Sequence, residues 1–324
     1  MTDFQLRIET SLSDLGPEGW REQVSDICAR NGFFEKLGPD HFAGFLEAGN
    51  CLLVTFENAE TVRENGYDAE PRGFAYARHD GWSHLGIFSE TRSWYRDPKI
   101  YAFFDRLMDD GFFDDFETVL FYGGDGGEAY AAAAYSVVAP GATVVAIRPQ
   151  ATLDAKMTRW DPRFFKERRM DFNSRYGYAP EMVEAAGRAF IIYDPFERFD
   201  ACHAALFRRE NVTLLPCPLF GRDIEQAFDR MGIHDILLKL AMEQALDAKR
   251  FAQLIRARRY DQTYTRDLVG HLLDRDHVWL AQLLCNYMIK RDRTGFFKSK
   301  LDDLTDDDDD GDDDASGGMV RSAK

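Results

Sequence analysis

The chain has 324 residues, of which 45% are apolar and 14% aromatic. That length and content can bury a sizeable core, so global disorder is excluded. The formal net charge of −16 argues against nucleic acid and anionic membrane as partners, although ten Asp within 302–314 supply most of it and leave about −6 on the remainder.

Five cysteines, Cys28, Cys51, Cys202, Cys217 and Cys285, form no C-x-x-C pair. With no secretory pattern in the opening residues, they read as reduced thiols of a cytoplasmic protein. No stretch reaches eighteen apolar residues, so no membrane span is expected.

In chain order, Pro17 and Glu18 suit the first turn of a helix over 17–31, with Trp20, Val24, Ile27 and Cys28 on one face. A short helix is expected over 39–48. Residues 1–50 would then be an N-terminal helical segment. The apolar run from Cys51 to Phe56 reads as a buried strand, 57–72 as a polar loop, 84–88 as a strand and 97–110 as a helix.

The segment 117–147 is the clearest unit. Thr118–Tyr122 reads as a strand, Gly123-Gly124-Asp125-Gly126-Gly127 as a sharp turn and Glu128–Val138 as an alanine-rich helix. After Pro140-Gly141 comes the strand Thr143–Ile147. Strand, helix, strand is a βαβ unit, which pairs its strands in parallel. Further strands at 189–193 and 212–215, with a helix at 203–207 between them, extend the alternation. The expectation is an α/β domain over 51–221 with a doubly wound, mostly parallel sheet. Its strands lie near 52, 85, 120, 145, 191 and 213. Helices alone follow over 222–300, and 301–324 reads as a disordered acidic tail.

A glycine-rich turn between strand and helix can cradle phosphate, present a nucleophile, or let helix and strand pack closely. No Lys, Arg, Ser or Thr lies in 123–129, and Asp125 and Glu128 would repel phosphate. Gly123-Gly124-Asp125 still resembles the loop of phosphoadenosine-phosphosulfate reductases and related PP-loop enzymes, without its serines.

A broader resemblance covers roughly 50–220. Ser93-Trp94-Tyr95, Phe121-Tyr122-Gly123 with the turn, Tyr130-Ala131-Ala132, Ile147-Arg148-Pro149-Gln150 and Leu153-Asp154 follow one another. In that order they resemble the α/β-hydrolase-like proteins found beside bacterial polysaccharide-synthesis genes. The resemblance implies a nucleophile elbow at 123–127, where the family carries Ser and this chain places Asp125 or Gly126. It implies a triad acid at Asp194 and a His after Leu215. Residues 216–225 contain no His, and the next is His234.

Asp125 and Asp194 are therefore the candidate catalytic residues, and Gly123, Gly124, Gly126, Gly127 and Glu57 the candidate ligand-binding residues. Asp125 could equally cap the following helix. The leading expectation is a catalytically depleted protein that binds a small molecule or a protein partner. The alternatives are a hydrolase with an Asp nucleophile and a PP-loop protein. No cofactor is implied. His41, His79 and His84 with Asp80 lack a ligand spacing, and His271 and His277 read as ordinary helix residues, so no metal is expected. The Asp306–Gly311 run resembles the start of an EF-hand loop but meets Gly317 where Glu is required. Lys249, Arg250, Arg256, Arg258 and Arg259 form a basic cluster that could attract the tail.

Overall fold

A computed structural model describes residues 11–309 except Gly66, Asp292 and Arg293. The strands are β1 (Gly32–Lys36), β2 (His41–Leu46), β3 (Cys51–Asn58), β4 (Ser83–Ser89), β5 (Thr118–Gly123), β6 (Thr143–Ile147), β7 (Arg188–Tyr193) and β8 (Val212–Pro216). They form one sheet in the order β1-β2-β4-β3-β5-β6-β7-β8. β2 runs antiparallel to β1 and β4, and every other pairing is parallel. This is the α/β-hydrolase fold, and β5, the strand before the glycine turn, lies between β3 and β6 as the βαβ reading requires.

The helices are α1 (Pro17–Asn31), α2 (Ala59–Asn65), α3 (Arg72–His79), α4 (Pro98–Asp109), α5 (Gly126–Tyr135), α6 (Ala155–Thr158) and α7 (Ala179–Met182). After them come α8 (Arg198–Leu206), α9 (Ile224–Arg230), α10 (His234–Met242), α11 (Ala248–Leu254), α12 (Gln262–Leu273), α13 (Val278–Ile289) and α14 (Phe296–Asp309). Among the described residues no helix is long and apolar enough to cross a membrane.

Parallel strands covered on both faces read as unbroken apolar runs, and β4 and β6 are buried along their whole length. On one face Phe56, Phe104 and Tyr135 pack together, with Tyr135 4.5 Å from Phe104 and 5.6 Å from Phe56 between ring centroids. On the other, Trp20 of α1 meets Phe42 and Phe88 and donates its indole N–H to the Ala69 carbonyl at 2.7 Å. The alanines of α5, Ala129 and Ala131 to Ala134, are fully buried. Small side chains there let the helix lie directly against the sheet.

Several expectations are corrected. Residues 39–48 hold a strand, not a helix: β2 is buried at all six positions and hydrogen-bonded on both sides, so its apolar run carries no alternation to mark it. With β1 it brings the sheet into residues 1–50, which are therefore not a helical segment. The expected loop 57–72 contains α2 and the start of α3. The helix expected at 203–207 begins earlier, at Arg198. The expected tail from 301 overlaps α14, which runs to Asp309, and residues 310–324 lie outside the described residues.

The chain divides into two compact units, one up to Ile255 and one from Arg256. The division falls inside the helical part expected over 222–300. In the second unit Val269, Ala281, Cys285, Met288 and Phe297 form a small buried core.

Candidate functional site

Ligands of open parallel sheets sit outside the carboxyl ends of the strands. The turn 123–127 after β5 and Asp194 after β7 both lie at that end. Glu57, the penultimate residue of β3, lies at the same end of the sheet. The sheet thus places Asp125, Asp194 and Glu57, the residues nominated above, at one end, each with its own set of partners.

The turn is tightly occupied. A Cβ on Gly123 would stand 2.3 Å from the Glu128 carbonyl oxygen and 2.5 Å from the Ala129 nitrogen, so glycine there permits α5 to approach β5. A Cβ on Gly124 would lie 2.2 Å from a carboxylate oxygen of Glu225. Gly126 has φ +31° and faces Gln150, and Gly127 faces the Trp94 ring at 3.2 Å. Trp94 donates its indole N–H to Gln150 Oε1 at 2.9 Å. Trp94 and Tyr95 are both left-handed, with φ of 46° and 55°. That costly conformation turns Trp94 onto the elbow.

Asp125 occupies the N-cap position of α5, but its side chain makes no capping bond. Its Oδ1 instead accepts from Arg148 Nη1 at 2.7 Å, with the aspartate side chain half exposed. Arg148 leaves β6 with φ +56°, its N–H still bonded to the Ile192 carbonyl at 2.7 Å. Its Nε donates to Asp200 Oδ2 at 2.8 Å, and Nη1 also donates to the Arg222 carbonyl.

The chain of ion pairs continues inward. Asp200 Oδ1 meets Arg163 Nη1 at 2.6 Å, and Arg163 makes a forked contact with Asp161. Asp161 Oδ2 stands 3.1 Å from His203 Nε2, while His203 Nδ1 accepts the Ala151 N–H at 3.1 Å. With Nδ1 accepting, Nε2 carries the proton and donates it to Asp161. Burial lowers the His203 pKa against the pull of Asp161. Burial would raise the Asp161 carboxyl, yet His203 and Arg163 hold it well below the usual range.

Asp194 is buried. Its Oδ1 accepts the Phe196 N–H at 2.9 Å and its Oδ2 the Gly221 N–H at 2.7 Å. Gly221 belongs to the loop after β8, where a triad histidine would stand. Among the described residues no imidazole is bonded to Asp125 or Asp194. His234 Nδ1 pairs with Asp229 at 2.7 Å, and His84 Nε2 bonds Thr55 at 2.8 Å. Burial takes the His84 pKa down to about 3, so the ring is neutral.

Carboxylates gather on the other side of the turn. Glu57 accepts from Thr55 Oγ1 at 2.6 Å and from the Arg72 N–H at 3.0 Å. Glu225 accepts the Tyr122 hydroxyl at 2.6 Å and meets Arg72 Nη2 at 3.1 Å. Glu128 accepts the Asn58 N–H at 3.2 Å. Burial, then the charges of Asp125, Glu225 and Glu57, push the Glu128 carboxyl well above its ordinary value. Burial likewise raises Glu57.

Sequence reasoning singled out Glu57 but gave Glu128, Glu225, Arg72 and Arg148 no place in the site. Glu225 and Arg72 lie far from the turn in sequence and meet it only through the fold. Arg148 stands in the resemblance, and no local pattern marks its partners. Among the described residues no group of three or more His, Cys, Asp or Glu is arranged to hold a metal ion.

No family model and no curated protein matches this chain. Among solved structures it is similar to the capsule O-acetyltransferase of Neisseria meningitidis serogroup A, at 9% identity over 60% of this chain and 91% of that one, with a TM-score of 0.38. It is similar to the hyperthermophilic esterase of the archaeon Pyrobaculum calidifontis, at 12% identity over 72% and 93%, with a TM-score of 0.39. It is also similar to the glycosylation-associated protein (Gap123) complex of Streptococcus agalactiae, at 12% identity over 62% and 44%, with a TM-score of 0.42.

Proposed function

We propose that this chain is a non-hydrolytic protein of the α/β-hydrolase fold that binds a ligand or partner. The observation that carries the reading is Asp194, whose two oxygens are both engaged by main-chain N–H groups, one of them from the loop that would supply the triad histidine. A triad acid must orient an imidazole; this one fastens a loop. The elbow supports the same reading, since Arg148 clamps Asp125 and Glu225 and Trp94 fill the space over the glycines.

A second reading has one observation in its favour. Asp125 is half exposed at the elbow and ion-paired, as a carboxylate nucleophile would be. It still requires a base for the hydrolytic water. Phosphate binding at the turn, as in PP-loop proteins, is opposed by the flanking Glu128 and Glu225. The cysteines, all free, support a cytoplasmic setting.

The test is turnover of p-nitrophenyl esters and haloalkanes by purified protein. The expected result is none above background. Robust hydrolysis abolished by Asp125→Asn would replace this reading with the aspartate-nucleophile one.

A further inference from the structure

Between β6 and β7 the chain leaves the sheet and builds a groove of about 470 Å³, lined by Ala155, Lys156, Arg159, Phe165, Arg168 and Arg169. Four of those six residues are cationic, in a chain of net charge −16. Elsewhere in this unit several arginines are paired with carboxylates: Arg72 with Glu225, Arg78 with Glu70, Arg106 with Glu35, Arg148 with Asp200 and Arg163 with Asp161. Among the described residues none of the four groove cations has such a partner.

Three of the neighbouring acids are turned to other tasks, and Glu167, beside Arg168 in sequence, makes no ion pair with the groove cations among the described residues. Asp154 accepts the Lys156 N–H, Asp161 holds Arg163 and His203, and Asp171 accepts the N–H groups of Asn173 and Ser174. Arg168 is anchored by its bond to the Thr158 carbonyl at 2.7 Å, and its buried Nε lacks an acceptor. Like charges gathered without counter-charge repel one another, and an anion seated among them relieves that repulsion through charge-assisted hydrogen bonds.

Phe165 adds a second requirement. Its ring is 71% exposed, with the Arg169 guanidinium 5.9 Å from its centroid. An aromatic face left open beside cations is a stacking platform for a flat ring. The volume falls within the range of small-molecule sites. A long polyanion would instead meet the repulsion of the acidic remainder of the protein.

We propose that this groove binds a nucleoside diphosphate, with its phosphates among Lys156, Arg159 and Arg168 and its base on Phe165. The site is separate from the glycine turn and stands whether or not the elbow is catalytic.

The experiment is calorimetric titration of the full-length protein with ADP, and with pyrophosphate and adenosine as the two halves. ADP is expected to bind about tenfold or more tightly than pyrophosphate, with adenosine alone far weaker and binding falling as salt rises. Phe165→Ala should erase the advantage of ADP over pyrophosphate. Arg159→Glu should weaken both by at least about tenfold. Both side chains are exposed, so melting temperatures should not move. No ADP binding at millimolar concentration, or ADP binding unaltered by both substitutions, would overturn the assignment. Tight binding of a heparin oligosaccharide with none of ADP would overturn it in favour of an acidic polymer.

Discussion

Arg148 Nη1 stands 2.7 Å from Asp125 Oδ1, so the charged residue of the elbow turn is bound to the end of the neighbouring strand and not to the helix it begins. The same guanidinium holds Asp200, whose side chain is fully buried. Replacing Arg148 by Met should leave Asp200 with Arg163 as its remaining cation and cost about 3–5 kcal/mol, the usual penalty for breaking a buried pair from one side. Urea denaturation measures it. A loss under about 1 kcal/mol would show that the clamp is not structural.

Asp194 should behave as a loop tie. Asp194→Asn keeps one carbonyl acceptor and loses the other, for a cost of about 1 kcal/mol. Asp194→Ala orphans the N–H groups of Phe196 and Gly221 and should cost about 2–3 kcal/mol. Amide exchange at Gly221 should accelerate in both. Unchanged exchange there would contradict the role.

Gly123 and Gly124 should differ, though they are neighbours. A Cβ at Gly123 meets main chain, which cannot yield. Gly123→Ala should therefore cost about 3 kcal/mol or more through overpacking. A Cβ at Gly124 meets the end of the Glu225 side chain, which can swing away at the expense of Tyr122 and Arg72. Gly124→Ala should cost about 1 kcal/mol, and less in a Glu225→Ala background. Additive losses would refute the contact.

The raised Glu128 carboxyl makes a pH prediction. A folded-state pKa above the unfolded value means that the folded protein binds more protons in between, so stability falls as pH rises through that window. Glu128→Gln removes the charge and keeps an acceptor for Asn58. The variant should be more stable than the parent at pH 7.5. The gain should shrink as pH falls and vanish below the ordinary carboxylate range, where the carboxyl is neutral in the folded and unfolded chain alike. A variant less stable than the parent at pH 7.5 would show that the ionised carboxylate is needed.

Truncation should depend on where it falls. Leu304 packs on the core of the second unit, and its carbonyl accepts from Gln282 at 3.2 Å. Removing 302–324 takes that packing away and should cost about 1–2 kcal/mol, whereas a chain ending at Asp309 keeps it. Equal melting temperatures for the two truncations would show that Leu304 adds nothing.

What the sequence determined by itself is what short-range pattern encodes. The run 118–147 is recognisable because a strand, a glycine turn, an alanine helix and a strand each leave their mark within a few residues, and the parallel sheet then follows from chain connectivity. β2 was not legible for the opposite reason: a strand buried on both faces has no period, and only pairing with β1 and β4 distinguishes it from a short apolar helix. The role of Asp125 is open, on sequence alone, between helix cap and nucleophile. The tertiary structure replaces the cap with an ion pair by placing Arg148, 23 residues later in the chain, within hydrogen-bond distance. Asp194 sits where topology led, but what it binds is the backbone of Gly221, which carries no side-chain signature at all. The carboxylate basin likewise draws Glu57, Glu128 and Glu225 from three separate elements. Their charge states follow from burial and mutual distance, and those exist only once the sheet has brought them together.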